Sequence, residues 1–176
     1  MKHLVPICLW AFLPFWLFVG TGAHAQDTVV LCDFEDGAWE GLSQSSEQVK
    51  RGEISGRWAN LPDASTAYVS GAPHEWSRYD RLSFWLYSAT DNNQQLTLVA
   101  RAENAKSEGW DYFYHHLIAD WQGCKHISLK LQEEFGAGRR PVGWDKIDSF
   151  RIHSSGWGHR PLEDTVLYFD DVRLTR

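Results

Sequence analysis

The chain has 176 residues, of which 23 are acidic and 17 are Lys or Arg, so its formal net charge is −6 at pH 7. A chain of this length is long enough for one domain to bury a hydrophobic core. The acidic balance argues against a protein that binds nucleic acid by neutralising phosphates, and against a polybasic membrane anchor. Apolar residues are spread too evenly for a disordered chain. The composition therefore indicates one globular domain, and its ten tryptophans are an unusual feature.

Residues 1–25 have the anatomy of a secretory signal peptide. Lys2 and His3 form a short basic start, an apolar run covers residues 4–20, and Ala23-His24-Ala25 supplies the small-x-small pattern of a cleavage site. The run is on the short side for a bilayer of about 30 Å, which favours a cleaved signal over a transmembrane anchor. We predict a mature domain over residues 26–176 that is secreted or periplasmic and is not inserted in a membrane after cleavage.

The remaining chain consists of short segments of alternating apolar and polar residues, separated by turn signals. In residues 81–88, for example, Leu82, Phe84 and Leu86 fall on one face. Period-two alternation at this spacing is typical of an all-β protein, a two-sheet antiparallel β-sandwich. A short helical turn near residues 131–135 is the one helical element expected. The predicted strands cover residues 29–34, 55–60, 66–70, 81–88, 95–101, 112–118, 126–131, 150–154 and 165–174.

Aromatic, arginine and histidine side chains occupy many positions opposite the predicted core. A sugar ring presents an apolar C–H face on which an aromatic ring stacks, and hydroxyls that bond polar side chains. The pattern predicts a polysaccharide or oligosaccharide partner on one sheet face. The alternative for each aromatic is packing, because large aromatic side chains are mostly buried. The candidate ligand-binding residues are Trp85, Tyr87, Arg101, Trp110, Tyr112, Tyr114, Arg151, His153 and Trp157.

Acidic residues cluster at the end of the first predicted strand and within the last. Asp33 and Glu35 belong to the first group, and Asp170 and Asp171 form the second. Because the terminal strands of such a sandwich are usually neighbours, these carboxylates are expected to lie close together. Oxygen-rich clusters suit calcium, which takes six to eight hard ligands. We predict a structural calcium ion here, and the alternative is that the acids pair with arginines such as Arg173.

Two cysteines, Cys32 and Cys124, remain after the predicted cleavage. Export permits a disulfide, and two cysteines allow a single bridge. A buried free thiol is equally ordinary at such positions. The sequence leaves both states open.

Some residues suggest an enzyme instead. Tyr112, Tyr114, His115, His116 and Arg101 are the residue types with which polysaccharide lyases abstract a proton. Adjacent histidines on a strand point to opposite faces, however, so they cannot act together on one substrate atom. No carboxylate pair of a glycosidase is singled out by its context. We therefore expect a non-catalytic protein, with a small polysaccharide lyase as an alternative.

Six segments in a characteristic order resemble a known class of domain. They are DFEDG (33–37), GEISGRW (52–58), WSRYDRLSFWLY (76–87), DWQG (120–123), PVGWDKID (141–148) and YFDDV (168–172). Together they resemble the galactose-binding-like jelly roll of carbohydrate-binding modules, which often stand beside polysaccharide lyases and glucanases. The resemblance covers nearly all of residues 29–174. It implies a β-jelly roll, glycan binding, and a structural calcium between the first and last strands.

Carried over to this chain, the resemblance makes Glu35 and Asp170 the main calcium candidates and Asp33 and Asp171 weaker ones. It also offers an alternative, because the same fold serves assembly factors that bind protein partners. Within the candidate ligand site, we assign stacking to Trp85, Tyr87, Tyr112 and Trp157. Arg101, Arg151 and His153 are assigned to hydroxyls or carboxylates of the glycan. The tryptophans expected to pack are Trp39, Trp58, Trp76, Trp121 and Trp144.

Overall fold

The computed structural model describes residues 27–37, 39–59, 61–69 and 71–176. The predicted signal peptide lies outside these residues, so its cleavage and the export of the chain stay predictions. The elements in chain order are β1 (Thr28–Cys32), β2 (Ser43–Ser45), β3 (Ser55–Trp58), β4 (Thr66–Val69), β5 (Arg81–Ser88), β6 (Gln94–Arg101), β7 (Tyr112–Ala119), β8 (Gly123–Lys130), α1 (Leu131–Glu134), β9 (Gly136–Gly138), β10 (Ser149–His153) and β11 (Leu167–Thr175).

The strands form two antiparallel sheets, which confirms the predicted all-β sandwich. Sheet A has the order β2-β3-β11-β5-β8, with β1 also paired to β11. Sheet B has the order β4-β10-β6-β7-β9. The pairing of β1 with β11 confirms that the first and last strands are neighbours. No helix in the described ranges is long and apolar enough to span a bilayer.

The core lies between the sheets and follows the alternation of the sequence. Leu82, Phe84 and Leu86 of β5 are buried, and β6 buries the side chains of its inward positions in the same way. Phe169 of β11 is central to an aromatic cluster, with ring centroids 5.8–6.3 Å from those of Phe84, Trp58 and Trp39. The inward faces of the two sheets, on which alternate residues of each strand are buried, together form one apolar layer.

Five tryptophans pack as the sequence predicts. Trp39, Trp58 and Trp76 are buried, and Trp121 and Trp144 are partly buried against the core. The indole of Trp76 donates a hydrogen bond to the carbonyl of Pro73 at 2.8 Å, so its polar edge is satisfied. The buried tryptophans are therefore structural.

The structure contains two short strands that the sequence analysis missed. β2 consists of polar residues and pairs with β3, and β9 is Gly-Ala-Gly and pairs with β7. Neither has the alternation or the β-branched residues on which a strand prediction rests. β8 also begins three residues before its predicted start, at Gly123. The helical turn α1 lies where it was expected.

Candidate functional site

The outward side chains of sheet B form a continuous polar and aromatic layer. Strand pairing places Tyr68, Arg151, Val99 and Tyr114 in one row across the sheet. The next row is Thr66, His153, Thr97 and His116. Val99 and Thr97 are buried although they point away from the core, because larger neighbours cover them. We call this layer, together with Arg101, Tyr112 and the loop residues Trp110, Trp157 and His159, the aromatic face.

Trp157 projects over the aromatic face from a tight turn. It has a positive φ of 50° and lies between two glycines, in a turn closed by a 2.9 Å hydrogen bond from His159 N to Gly156 O. Its ring centroid lies 5.4 Å from that of His153 and 6.0 Å from that of Tyr112. The side chain is nevertheless 41% exposed. An indole held on one side and open on the other can stack on a ligand.

Trp110 supplies a second exposed ring, held above two arginines. The guanidinium of Arg101 lies 4.4 Å from the Trp110 ring centroid, and that of Arg151 lies 5.6 Å from it. Arg101 also forms an ion pair with Glu103. Trp110 is 49% exposed. Cation–π contacts of this kind fix the ring without covering its outer surface.

The loop that carries Trp110 is fixed by the buried carboxylate of Asp111. The carboxylate accepts hydrogen bonds from Asn104 N at 3.2 Å, Ser107 Oγ at 3.0 Å and Arg140 N at 2.8 Å. Burial raises the pKa of Asp111, but these hydrogen bonds outweigh burial and hold the pKa below its ordinary value. The ionised carboxylate therefore positions Trp110.

The tyrosines of β7 lie over the glycines of β9. A Cβ atom on Gly138 would lie 2.4 Å from the Tyr112 ring, and one on Gly136 would lie 3.1 Å from the Tyr114 ring. Any side chain at Gly138 would displace Tyr112 and, through it, Trp157. The Gly-x-Gly spacing of residues 136–138 is the sequence signal for this contact, which was missed.

Three histidines gather beside Trp157. His153 Nδ1 and Thr66 Oγ1 are hydrogen-bonded at 3.0 Å, as are His116 Nδ1 and Thr97 Oγ1. Burial, Arg151 and His159 lower the pKa of His153 to about 4. Burial also lowers the pKa of His116 and of His159. His153 is therefore neutral at pH 7.

A groove of about 670 Å³ runs along β4 at the edge of the aromatic face. It is lined by Tyr68, Arg151 and Thr66, and by the acids Glu40 and Asp63. Tyr68 was missed by sequence reasoning, although it follows the same outward alternation as the residues that were selected. Its ring lies 4.9 Å from the guanidinium of Arg151.

The candidate ligand-binding residues do not share one face. The structure brings seven of them together on sheet B, as Arg101, Trp110, Tyr112, Tyr114, Arg151, His153 and Trp157. Trp85 and Tyr87 lie instead on the outer face of sheet A, in β5. The expectation that they stack on the same ligand as Tyr112 and Trp157 is therefore wrong. Period-two alternation identifies outward positions, but it does not say to which sheet they belong.

Comparison with known proteins identifies the fold. No protein-family model matches the chain, and no curated protein does. A solved structure of the family 11 carbohydrate-binding module of the cellulosomal cellulase Lic26A-Cel5E of Clostridium thermocellum has a TM-score of 0.58 at 15% identity, covering 85% of this chain and 95% of the module. The chain therefore shares the β-sandwich fold of this module.

Two further solved structures have the same fold. A family 11 module from Clostridium thermocellum in complex with a β-1,3-1,4-mixed-linked tetrasaccharide has a TM-score of 0.57 at 16% identity, covering 84% of this chain and 94% of that one. A family 30 carbohydrate-binding module has a TM-score of 0.56 at 12% identity, covering 76% and 82%. At this level of identity the likeness concerns the fold alone.

The outer face of sheet A is covered by a loop over residues 46–54, which we call the covering loop. Tyr168 donates a 2.5 Å hydrogen bond to Glu47, and the amides of Lys50 and Arg51 donate to Asp170. The ammonium group of Lys50 lies 5.6 Å from the ring centroid of Trp85. Trp85 is thus half-buried beneath the loop, which leaves less of its ring to a ligand than the exposed indoles of sheet B offer.

The four predicted calcium ligands border the covering loop but differ in what they contact. Glu35 Oε1 accepts hydrogen bonds from the amides of Glu53 and Ile54, at 2.8 and 3.0 Å. Asp170 Oδ2 accepts those of Lys50 and Arg51, at 2.6 and 2.9 Å. Asp33 accepts a hydrogen bond from the backbone amide of Glu35, and Asp171 forms ion pairs with Arg51 and Arg173. Within the described ranges, no group of three His, Cys, Asp or Glu side chains is arranged to hold a metal ion.

The two cysteines are free thiols. Cys32 in β1 is separated from Cys124 in β8 by β11 and β5, a distance of at least about 14 Å at the usual strand spacing. A disulfide needs Cα atoms within about 7 Å, so the bridge that the sequence left open does not form. Burial raises the pKa of Cys32 to about 11 and also raises that of Cys124, which keeps both thiols protonated at neutral pH.

The low pKa of His153 predicts that the fold weakens in acid. An unfolded histidine titrates near pH 6.5, whereas folded His153 titrates near 4. Between these values the unfolded state binds a proton that the folded state does not, so stability present above pH 6.5 is lost as pH falls towards 4. We expect the melting temperature of the wild type to fall more steeply between pH 7 and 4.5 than that of His153→Asn, measured by circular dichroism. Parallel profiles would contradict this assignment.

Proposed function

We propose that the chain is a non-catalytic carbohydrate-binding module that binds a polysaccharide or oligosaccharide across the aromatic face of sheet B. The observation that carries the proposal is the pair of exposed indoles, Trp110 and Trp157, fixed above a layer of arginine, tyrosine and histidine. The fold supports it, because one of the solved structures that it resembles is a complex with a mixed-linked tetrasaccharide. The predicted export is consistent with a partner outside the cytoplasm and is itself a proposal.

The residue types of the aromatic face are expected to make different contacts with a sugar. The indoles of Trp110 and Trp157 stack on the C–H faces of sugar rings, and each is held from below so that little side-chain entropy is lost on binding. Arg101 and Arg151 donate hydrogen bonds to ring substituents, and Tyr112 supports Trp157 from the side. In this proposal the groups that line the site are fixed and bind the ligand. None of them is assigned the role of a nucleophile or of a general acid or base.

The two sheet faces offer a matched pair of mutations. We expect Trp157→Ala to weaken retardation in affinity gels containing β-glucan, xylan, alginate or pectin, with a Kd about tenfold higher or more, because the loss of an aromatic contact worth about 1.4 kcal/mol raises Kd tenfold. Trp85→Ala should leave retardation unchanged, since its ring lies on sheet A beneath the covering loop. Circular dichroism melting of both variants checks that each one folds.

The reverse result, with binding lost in Trp85→Ala and kept in Trp157→Ala, would move the site to sheet A. A wild-type protein that is retarded by none of the polymers would overturn the carbohydrate-binding proposal. That outcome would favour a module of the same fold that binds a protein partner.

We also propose that a structural calcium ion binds between Glu35 and Asp170. Both carboxylates accept hydrogen bonds from backbone amides of the same segment, residues 50–54. Asp170 is 1% exposed, and its Oδ1 has no hydrogen-bond partner within the described residues. Burial raises the pKa of Asp170, so its charge lacks full compensation. A cation would supply that compensation, with backbone carbonyls and water completing its shell.

Asp33 and Asp171 fit such an ion less well. Asp171 is already paired with Arg51 and Arg173, and one oxygen of Asp33 accepts the amide of Glu35. In this proposal Glu35 and Asp170 therefore hold the ion, while Asp33 accepts a backbone amide and Asp171 holds two arginine side chains beside it.

Calcium at one hundred times its Kd should raise the free energy of unfolding by about 2.7 kcal/mol. For a domain of this size that corresponds to about 5–10 °C in melting temperature. Asp170→Asn should melt at the same temperature with calcium and with EDTA. In EDTA this variant should be at least as stable as the wild type, because it removes a desolvated charge. A wild-type melting temperature that is indifferent to calcium and EDTA would rule the site out.

A further inference from the structure

The charge of the aromatic face differs from that of the chain as a whole. The chain carries an excess of acids. The outward strand positions of sheet B, as far as the structure describes it, nevertheless hold no Asp or Glu. Their charged or titratable side chains, apart from tyrosines, are Arg101, Arg151, His116 and His153. The acids nearby, Glu40, Asp63 and Glu103, come from the flanking loops.

The two arginines differ in how their charge is compensated. Arg101 forms an ion pair with Glu103. Arg151 forms no ion pair with any carboxylate of the described residues, and its Nε is buried without a hydrogen-bond partner there. The guanidinium is instead held between two rings, with centroids 4.9 Å away for Tyr68 and 5.6 Å away for Trp110. A partly buried cation that meets only aromatic rings gains when an anionic ligand accepts hydrogen bonds from its terminal amino groups.

A carboxylate is the ligand group that fits this guanidinium. The planar fork of arginine binds a carboxylate through two parallel N–H···O bonds, and stacking on aromatic rings holds the fork in one orientation. Glu40 and Asp63 line the groove beside Arg151 and disfavour an anion along their own wall. The carboxylate is therefore expected on the Arg151 side that faces Trp110, while the sugar ring that bears it stacks on an exposed indole.

We propose that the aromatic face selects a carboxylated polysaccharide, a polymer of uronic acids, with Arg151 binding the carboxylate of one residue. This inference rests on the proposed carbohydrate-binding function and names its ligand class. Arg151 is the specificity-determining residue, and Trp110 and Trp157 supply the stacking that any sugar would use.

The test compares polymers that differ in charge at a fixed backbone. Affinity electrophoresis of the wild-type chain in polygalacturonate and in the fully methyl-esterified polymer should give a Kd about ten- to a hundredfold lower for the free acid, as expected for a charge-assisted bond. A neutral mixed-linkage β-glucan and dextran sulfate complete the series. Arg151→Gln should abolish the preference for the free acid, and Arg151→Lys should retain part of it.

Arg81→Gln is the matched control, because it removes one positive charge from the outer face of sheet A, where Arg81 bonds Ser128. It should leave the preference unchanged. Equal retardation by the free acid and its ester would overturn the inference, and this comparison needs no variant to fold. Retardation by β-glucan alone would overturn it while the proposed function stands, whereas retardation by none of the polymers would contradict the proposed function itself.

Non-specific electrostatic binding would give a different pattern of retardation. Dextran sulfate would then retard the chain as strongly as polygalacturonate, and Arg151→Gln and Arg81→Gln would weaken both to the same extent. That outcome would also overturn the inference, because it requires no carboxylate at Arg151.

Discussion

The register in which β6 pairs with β7 and β10 decides which side chains of sheet B face the core and which face outward. It buries Leu96, Leu98 and Ala100 between the sheets and turns the alternate residues outward. A slip of one residue would exchange the two sets, so burial of the apolar set fixes the outward side chains as well. The face that carries arginine, tyrosine and histidine is in this sense a consequence of the core. The positions of its side chains are set by the strands and by the two turns that hold Trp110 and Trp157.

The two outer faces of the sandwich have different roles for a physical reason. On sheet A, the carboxylates of Glu35, Glu47 and Asp170 bond groups of the covering loop or of the strand beneath it, so the loop stays on the sheet. On sheet B, the outward layer is built from side chains that support one another through ring and cation–π contacts. Its exposed surface includes the indoles of Trp110 and Trp157 and a guanidinium that forms no ion pair within the described residues, which are groups that gain from a ligand.

The sequence was sufficient for what depends on alternation and order. Nine of the eleven strands in the described residues and the five packing tryptophans follow from local pattern, and the pairing of β1 with β11 follows from the usual arrangement of terminal strands in such a sandwich. It was not sufficient for what depends on the partner of each strand. Trp85 and Trp157 both look like outward aromatics, and the sheet that each one belongs to is set by pairing between distant segments. The distance between Cys32 and Cys124 is hidden for the same reason. The role of Gly138 is hidden because a glycine leaves no pattern until the ring that covers it is known.

An NMR titration of the tryptophan indole N–H signals with a soluble oligosaccharide tests directly which face of the sandwich binds the ligand. We expect the signals of Trp110 and Trp157 to shift in a saturable way, while those of Trp85 and of the buried Trp58 and Trp76 stay in place. Shifts at Trp85 with no change at Trp110 and Trp157 would contradict binding on the aromatic face.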